Sequence, residues 1–92
     1  MQVPTKLLED LEMFYSLVRT GMKMAAYSFW LTNLREDLGV ITQARIRQDA
    51  FQLFAEVERA GYVIQRHPEM RQDVVLPAIQ RLIDYLRKAS AA

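Results

Sequence analysis

The side chains able to do chemistry are few, and they do not assemble into a reactive set. His67 is the only histidine, and it precedes Pro68 in a segment that we predict to be a turn. Hydrolytic triads require a nucleophile beside a histidine that a third group orients. Metal sites in helical bundles use a Glu three residues before a His, and no Glu lies there before His67. We therefore expect no catalytic residues, no metal and no cofactor.

The acidic residues include three close pairs, and their pattern is typical of solvated charge rather than of a general acid and base. The pairs are Glu9 with Glu12, Glu36 with Asp37, and Glu56 with Glu58. In the predicted helices these carboxylates lie on flanks, at a helix end or on different sides, where such groups are usually exposed. Because no nucleophile, base and orienting group come together, we expect a protein that is not an enzyme and has no small-molecule substrate.

The composition predicts one ordinary globular domain over residues 1–92, with 51% hydrophobic and 25% charged residues. The net charge of +1 lacks the basic excess of proteins that bind nucleic acid or anionic membranes with their whole surface. The chain has no Cys, which fits a reducing compartment. The longest nearly uncharged window, Thr20 to Leu34, is shorter than the roughly 20 apolar residues that span a bilayer. We expect a cytoplasmic protein without a membrane segment.

The stretch from Met22 to Leu34 is the most unusual part of the chain, because apolar side chains occur on every side of the helix that it predicts. A short chain has few other elements to cover such a helix, so the stretch is either the centre of the core or an interface with another chain. Aromatic and large aliphatic residues dominate protein interfaces. We predict an interface formed by Met22, Tyr27, Trp30, Leu31 and Leu34.

The first helix is predicted to run over about residues 5–38, because apolar residues recur at alternating steps of three and four along it. This heptad seam comprises Leu8, Leu11, Tyr15, Val18, Met22, Ala25, Phe29 and Thr32. The seam passes Gly21 without a change of phase, which favours one continuous helix. A break at Gly21 is the alternative, and it would give a four-helix bundle. Gly39 is predicted to end the helix in the left-handed conformation.

Two further helices are predicted over about residues 42–66 and 68–89. The short link after Gly39 implies an antiparallel hairpin. Pro77 lies inside the apolar pattern of the third helix and must either kink that helix or start it anew after a short first turn, since proline lacks the N–H donor and clashes with the preceding turn. The predicted fold is all-α: a three-helix bundle built on a long antiparallel hairpin, with a third helix that bends near Pro77.

Two functions fit this fold. The first is a small helical assembly or adaptor subunit that binds itself or a partner protein through Met22 to Leu34. The second is a nucleic-acid-associated accessory subunit, since nine of the twelve basic residues are arginines, whose planar fork suits phosphates. The predicted nucleic-acid contacts are Arg45, Arg47, Arg59, Arg66 and Arg71. Acidic residues interleave with these arginines, as they do on an ordinary solvated helix.

Overall fold

The computed structural model describes residues 3–91, with only the backbone of Arg71, and this part of the chain is all-α. The α-helices are α1 (Thr5–Thr20), α2 (Met24–Leu38), α3 (Ala44–Arg66) and α4 (Leu76–Ala91). A 3₁₀ turn (Pro68–Met70) and a π-helical turn (Arg71–Val75) connect α3 to α4. Helix α1 packs on α2 and α4, and α3 packs on the same two helices, so α1 and α3 lie diagonally across the bundle.

The first predicted helix is broken in its middle. Gly21 adopts φ 113° and ψ 117°, in the half of conformational space that residues with a Cβ rarely enter. Its N–H donates to the carbonyl of Leu17 at 3.1 Å and closes the end of α1. The structure therefore corrects the single helix predicted over 5–38 and confirms the four-helix alternative. Gly39, in contrast, has φ −64° and ψ −16°, so its predicted left-handed conformation is wrong.

The phase of the buried residues explains why the chain breaks here. In α1 the buried stripe is Leu7, Leu11, Phe14 and Val18, and in α2 it is Tyr27, Leu34 and Leu38. Val18 and Tyr27 are separated by about 2.5 turns of an ideal helix, so one continuous helix would turn the two stripes to opposite sides. Reversal of the chain after Gly21 brings both stripes into one core.

Before Pro77 the chain forms the π-helical turn, and α4 begins where this turn ends. Pro77 is the second residue of α4, where the fixed φ of proline suits the first turn of an α-helix. The π turn also contacts α1, because the amide of Gln72 donates to the carbonyl of Arg19 at 3.3 Å. The third helical segment thus begins near the predicted position but passes from a 3₁₀ turn to a π turn before it becomes α-helical at Leu76.

The core lies along the centre of the bundle, and among the described side chains no charged one is buried. Charged residues instead join neighbouring helices along their flanks. Their pairs are Arg87 with Glu12 (2.8 Å), Arg81 with Glu56 (3.3 Å), and Arg35 with Glu58. Within residues 3–91, no helix combines the length and hydropathy that crossing a membrane requires.

Candidate interaction surfaces

An apolar patch covers the outer side of the first two helices. We call it the α1–α2 face and define it as Met13 and Leu17 of α1 with Ala26, Phe29 and Trp30 of α2. Phe29 is 67% exposed and Met13 is 55% exposed, although both are large apolar residues. The Trp30 ring is half-buried and stacks on Phe14 of the core, with centroids 5.8 Å apart and planes 19° apart. The bundle therefore positions one aromatic ring firmly beside a more exposed one.

Each of the two helices contributes one row of side chains to this face, and the two rows lie side by side. Lys6 and Asp10 of α1 line a shallow depression together with Phe29 and Trp30 of α2. Met13 follows Asp10 at the spacing that keeps residues on one side of a helix, and Leu17 follows Met13 in the same way. Since α1 and α2 are antiparallel, the row of α1 continues alongside Phe29 and toward Ala26.

One end of the α1–α2 face is acidic. Lys6 pairs with Asp10 at 3.5 Å, so these two charges largely offset each other. Glu36 and Asp37 line the same end, and Glu9 follows Lys6 by three residues on α1. Within residues 3–91 none of these three acids forms an ion pair.

The structure divides the predicted interface residues into two groups. Tyr27 and Leu34 are 2% and 1% exposed, so they belong to the core and are unavailable for contact with another molecule. Met22, Trp30 and Leu31 are half-buried. Trp30 faces α1, whereas Leu31 lies on the opposite flank of α2 beside α3. The five residues therefore do not form one surface.

Tyr27 joins α2 to α3 by its hydroxyl, which donates to the carbonyl of Val57 at 3.0 Å. Its ring also contacts Phe14, with centroids 5.3 Å apart. Burial raises the pKa of the Tyr27 phenol above its ordinary value of 10.0, because the charged phenolate would lose its hydration in the core. This residue holds three helices together.

The predicted arginine strip is only partly present. Arg45 lies 3.6 Å from Asp49. Arg47 is half-buried and donates to the carbonyl of Ile41 at 2.8 Å, which fixes the turn between α2 and α3. Arg59 and Arg66 are exposed on the outer side of α3. The side chain of Arg71 lies outside the described part of the structure, so its predicted contact with nucleic acid stays a prediction.

Asp49 accepts a second contact, from α4. The hydroxyl of Tyr85 donates to its carboxylate at 2.7 Å. This hydrogen bond is the main cause of a raised pKa at Tyr85, and desolvation adds to it. The charge of Asp49 is therefore directed to Arg45 and α4 and away from the outer side of α3.

A second depression lies between α2 and α3, with a volume of about 190 Å³. Its lining includes Met24, Ser28, Leu31 and Thr32 from α2 with Tyr62 and Gln65 from α3. Tyr62 is 70% exposed at its edge, the largest exposed fraction among the exposed large apolar residues described. Tyr62 is not among the contact residues predicted from the sequence.

Phe29, Met13 and Leu17 were also missed, although one signal pointed to them. Leu7, Leu11, Phe14 and Val18 have the same alternation of four and three as the heptad seam. If that stripe is taken as the core, Met13 and Leu17 fall on the outside of α1. The adjacent apolar pairs Leu7-Leu8 and Phe14-Tyr15 make both stripes equally regular, so the pattern alone does not decide between them.

The chain has no match among protein-family models, curated proteins or solved structures. Within the described residues, no three His, Asp or Glu side chains are placed to hold a metal ion together. A function can therefore be inferred only from the surfaces of the bundle.

Proposed function

We propose that the protein is a small, non-enzymatic helical adaptor or assembly subunit of the cytoplasm, and that it binds a partner protein through the α1–α2 face. The observation that carries the proposal is Phe29, a phenylalanine that is 67% exposed beside the half-buried Trp30. Phe29 is neither in the core nor among the partly buried residues that pack against it, so its exposed ring has no evident role in packing the chain itself. Contiguous exposed apolar residues with an aromatic anchor are typical of binding sites.

The shape of the face favours a helix as its ligand. Two antiparallel helices leave a groove between them, and an amphipathic helix binds such a groove through apolar residues at i, i+3, i+4 and i+7. In this arrangement Phe29 and Met13 lie on the two walls, and Trp30 lies deeper between them. Contact with a third helix would cover the most exposed apolar side chains of α1 and α2 together.

The charge of the face favours a basic partner. Glu36 and Asp37 line one end of the groove, Glu9 follows Lys6 on α1, and none of the three forms an ion pair among the described residues. Complementary charge at the rim of an interface accelerates association and suppresses wrong partners. The proposed partner segment is therefore an amphipathic helix with lysines or arginines beside its apolar side.

Trp30 is the only tryptophan in the chain, so its fluorescence reports directly on this face. The probe is a synthetic amphipathic helix with leucines on one side and lysines on both flanks. A matched peptide carries glutamates in place of the lysines. We expect the basic peptide to change the Trp30 emission saturably and the acidic peptide to have no effect. Equal responses to both peptides, or none to either, would contradict the proposal.

Two variants locate the binding site. Phe29→Glu introduces a charge into the face and should weaken binding of the basic peptide roughly tenfold or more. Val40→Glu is the matched control, because Val40 is 63% exposed but lies in the turn between α2 and α3. Light scattering on the free protein measures its oligomeric state and so tests whether the face binds a second copy of the chain. A dimer that Phe29→Glu dissociates would assign the face to a second copy and overturn the basic partner.

A further inference from the structure

Tyr62 stands between two arginines on the outer side of α3. Arg59 precedes it by three residues and Arg66 follows it by four, so all three side chains project from adjoining positions on one side of the helix. All three are exposed, and neither arginine forms an ion pair among the described residues. An accessible aromatic ring thus has an uncompensated positive charge about one helical turn away on either side.

The acidic residues of α3 do not neutralise these arginines, because each one is used at a flank of the helix. Asp49 contacts Arg45 and Tyr85, Glu56 pairs with Arg81, and Glu58 pairs with Arg35. In the sequence the acids interleave with the arginines, which is typical of an ordinary solvated helix. In the bundle Asp49 and Glu56 face α4, whereas Glu58 lines the α2–α3 depression beside Tyr62, where its ion pair with Arg35 offsets its charge.

The space beside Tyr62 suits a flat, partly polar ring. It is the α2–α3 depression, about 190 Å³ in volume, with Leu31 providing an apolar wall. Ser28 and Thr32 place hydroxyl groups in the lining, and Gln65 adds an amide. The Thr32 hydroxyl donates to the carbonyl of Ser28 at 3.2 Å, and its oxygen retains the capacity to accept a hydrogen bond.

We propose that this side of α3 binds single-stranded nucleic acid. An unpaired base stacks on Tyr62 and enters the depression, where the hydroxyl and amide groups meet its polar edge. Arg59 and Arg66 bind the phosphates on either side of that base. Stacking on aromatic residues and phosphate binding by arginine are the two main contributions in single-strand recognition. A base paired in a duplex has no free face for Tyr62, so a single strand is the preferred form.

Tyr62, Arg59 and Arg66 lie on α3, diagonally across the bundle from α1, although the two sites use different residues of α2. The proposal names a ligand class that the proposed adaptor function does not include, and either can fail without the other. Of the five arginines that the sequence predicts to contact nucleic acid, this proposal keeps Arg59 and Arg66. It adds Tyr62, which that prediction did not include.

The test is fluorescence anisotropy of a labelled single-stranded oligonucleotide at low salt, with a duplex of the same sequence for comparison. We expect the single strand to bind more tightly than the duplex. Tyr62→Ala should weaken binding by at least about fivefold, whereas Tyr62→Phe should retain it, because phenylalanine keeps the aromatic face on which a base stacks. The double change Arg59→Gln with Arg66→Gln should lower the slope of log K against log salt by ~1.4 for two lost phosphate contacts.

Arg19→Gln is the matched control, because Arg19 is an exposed arginine on α1, the diagonal helix. It should leave binding unchanged. Three results would overturn the proposal: no binding by the unmodified protein at low salt, equal loss in Arg19→Gln and the Arg59/Arg66 variant, or tighter binding of the duplex. Circular dichroism of each variant separates loss of the site from loss of the fold.

Discussion

A β-carbon at Gly61 would lie 2.7 Å from Cε1 of Tyr27, closer than real Cβ contacts come. The absence of a side chain at Gly61 therefore allows the Tyr27 ring to lie directly against the backbone of α3. From there the Tyr27 hydroxyl reaches the carbonyl of Val57, about one turn earlier on the same helix. This contact fixes how closely α2 and α3 approach, and it explains why Tyr27 belongs to the core rather than to an interface.

Gly61→Ala should destabilise the fold, although alanine favours a helix by about 1 kcal/mol over glycine. Overpacking of a core position costs roughly 1–3 kcal/mol, and here the obstructing atom belongs to a buried aromatic ring with little freedom to move. Urea unfolding followed by circular dichroism measures the net loss.

Tyr27→Leu provides the control for this prediction, because leucine lacks the ring that meets the new methyl group. Adding Gly61→Ala to Tyr27→Leu should destabilise less than Gly61→Ala does alone, giving a coupling energy between the two sites. Additive losses in the double variant, or a Gly61→Ala protein as stable as the unmodified one, would contradict the packing described here.

The stability of the protein should fall as the pH rises above about 10. Burial raises the pKa of Tyr27 in the folded state above the unfolded value of 10.0. Between the two pKa values the unfolded chain has released a proton that the folded chain still holds, so raising the pH favours unfolding. Each such tyrosine lowers the free energy of unfolding by about 1.4 kcal/mol per pH unit in this interval.

Tyr27→Phe isolates this contribution. The variant should be less stable than the unmodified protein at neutral pH, by roughly 0.5–1.5 kcal/mol for the lost hydrogen bond, and should lose less stability between pH 10 and 11. Tyr85→Phe is the comparison, because the hydrogen bond to Asp49 also raises the pKa of Tyr85. Identical alkaline profiles for Tyr27→Phe and the unmodified protein would show that Tyr27 is not buried as described.

The break between α1 and α2 depends on Gly21, so Gly21→Ala should destabilise the bundle. Any residue with a Cβ is strained at φ 113°, and a strained backbone of this kind costs on the order of 1–3 kcal/mol. For a domain of this size, each kcal/mol lowers Tm by roughly 4–8 °C. Gly39→Ala is the control at φ −64°, where only a 3.3 Å contact with the carbonyl of Glu36 must relax. A Gly21→Ala protein with a higher Tm would favour the continuous helix instead.

The sequence predicted the helical class and the bounds of α3 well, but it did not predict the phase of α1 and α2. In α3 the apolar residues form a single stripe, and Ile46, Ala50 and Val57 are buried as that stripe requires. In α1, apolar neighbours such as Phe14 and Tyr15 allow two stripes one residue apart. The choice between them depends on contacts with other helices, which no local pattern contains.

Local sequence patterns also did not predict which side chains form the exposed surfaces. Trp30 was predicted to lie at an interface because aromatic residues dominate such sites, and the structure brings it beside an exposed apolar row. Phe29 was instead placed in the heptad seam, since a continuous helix would bury it. Tyr62 was missed because Glu56 and Glu58 interleave with the arginines of α3 in the sequence. Their pairing with Arg81 and Arg35 instead depends on how the helices pack, which the local sequence pattern does not contain.

Phe14 and Phe29 offer the most direct comparison of core and surface within one chain. Phe14 is 0% exposed and contacts both Tyr27 and Trp30, whereas Phe29 is 67% exposed. Phe14→Ala should cost about 3–5 kcal/mol through the lost burial and the cavity left behind. Phe29→Ala should change the free energy of unfolding by about 0.5 kcal/mol or less. Both are measured by urea unfolding under the same conditions. Similar losses at the two positions would mean that Phe29 packs within the bundle, and the α1–α2 face would then lose its main anchor.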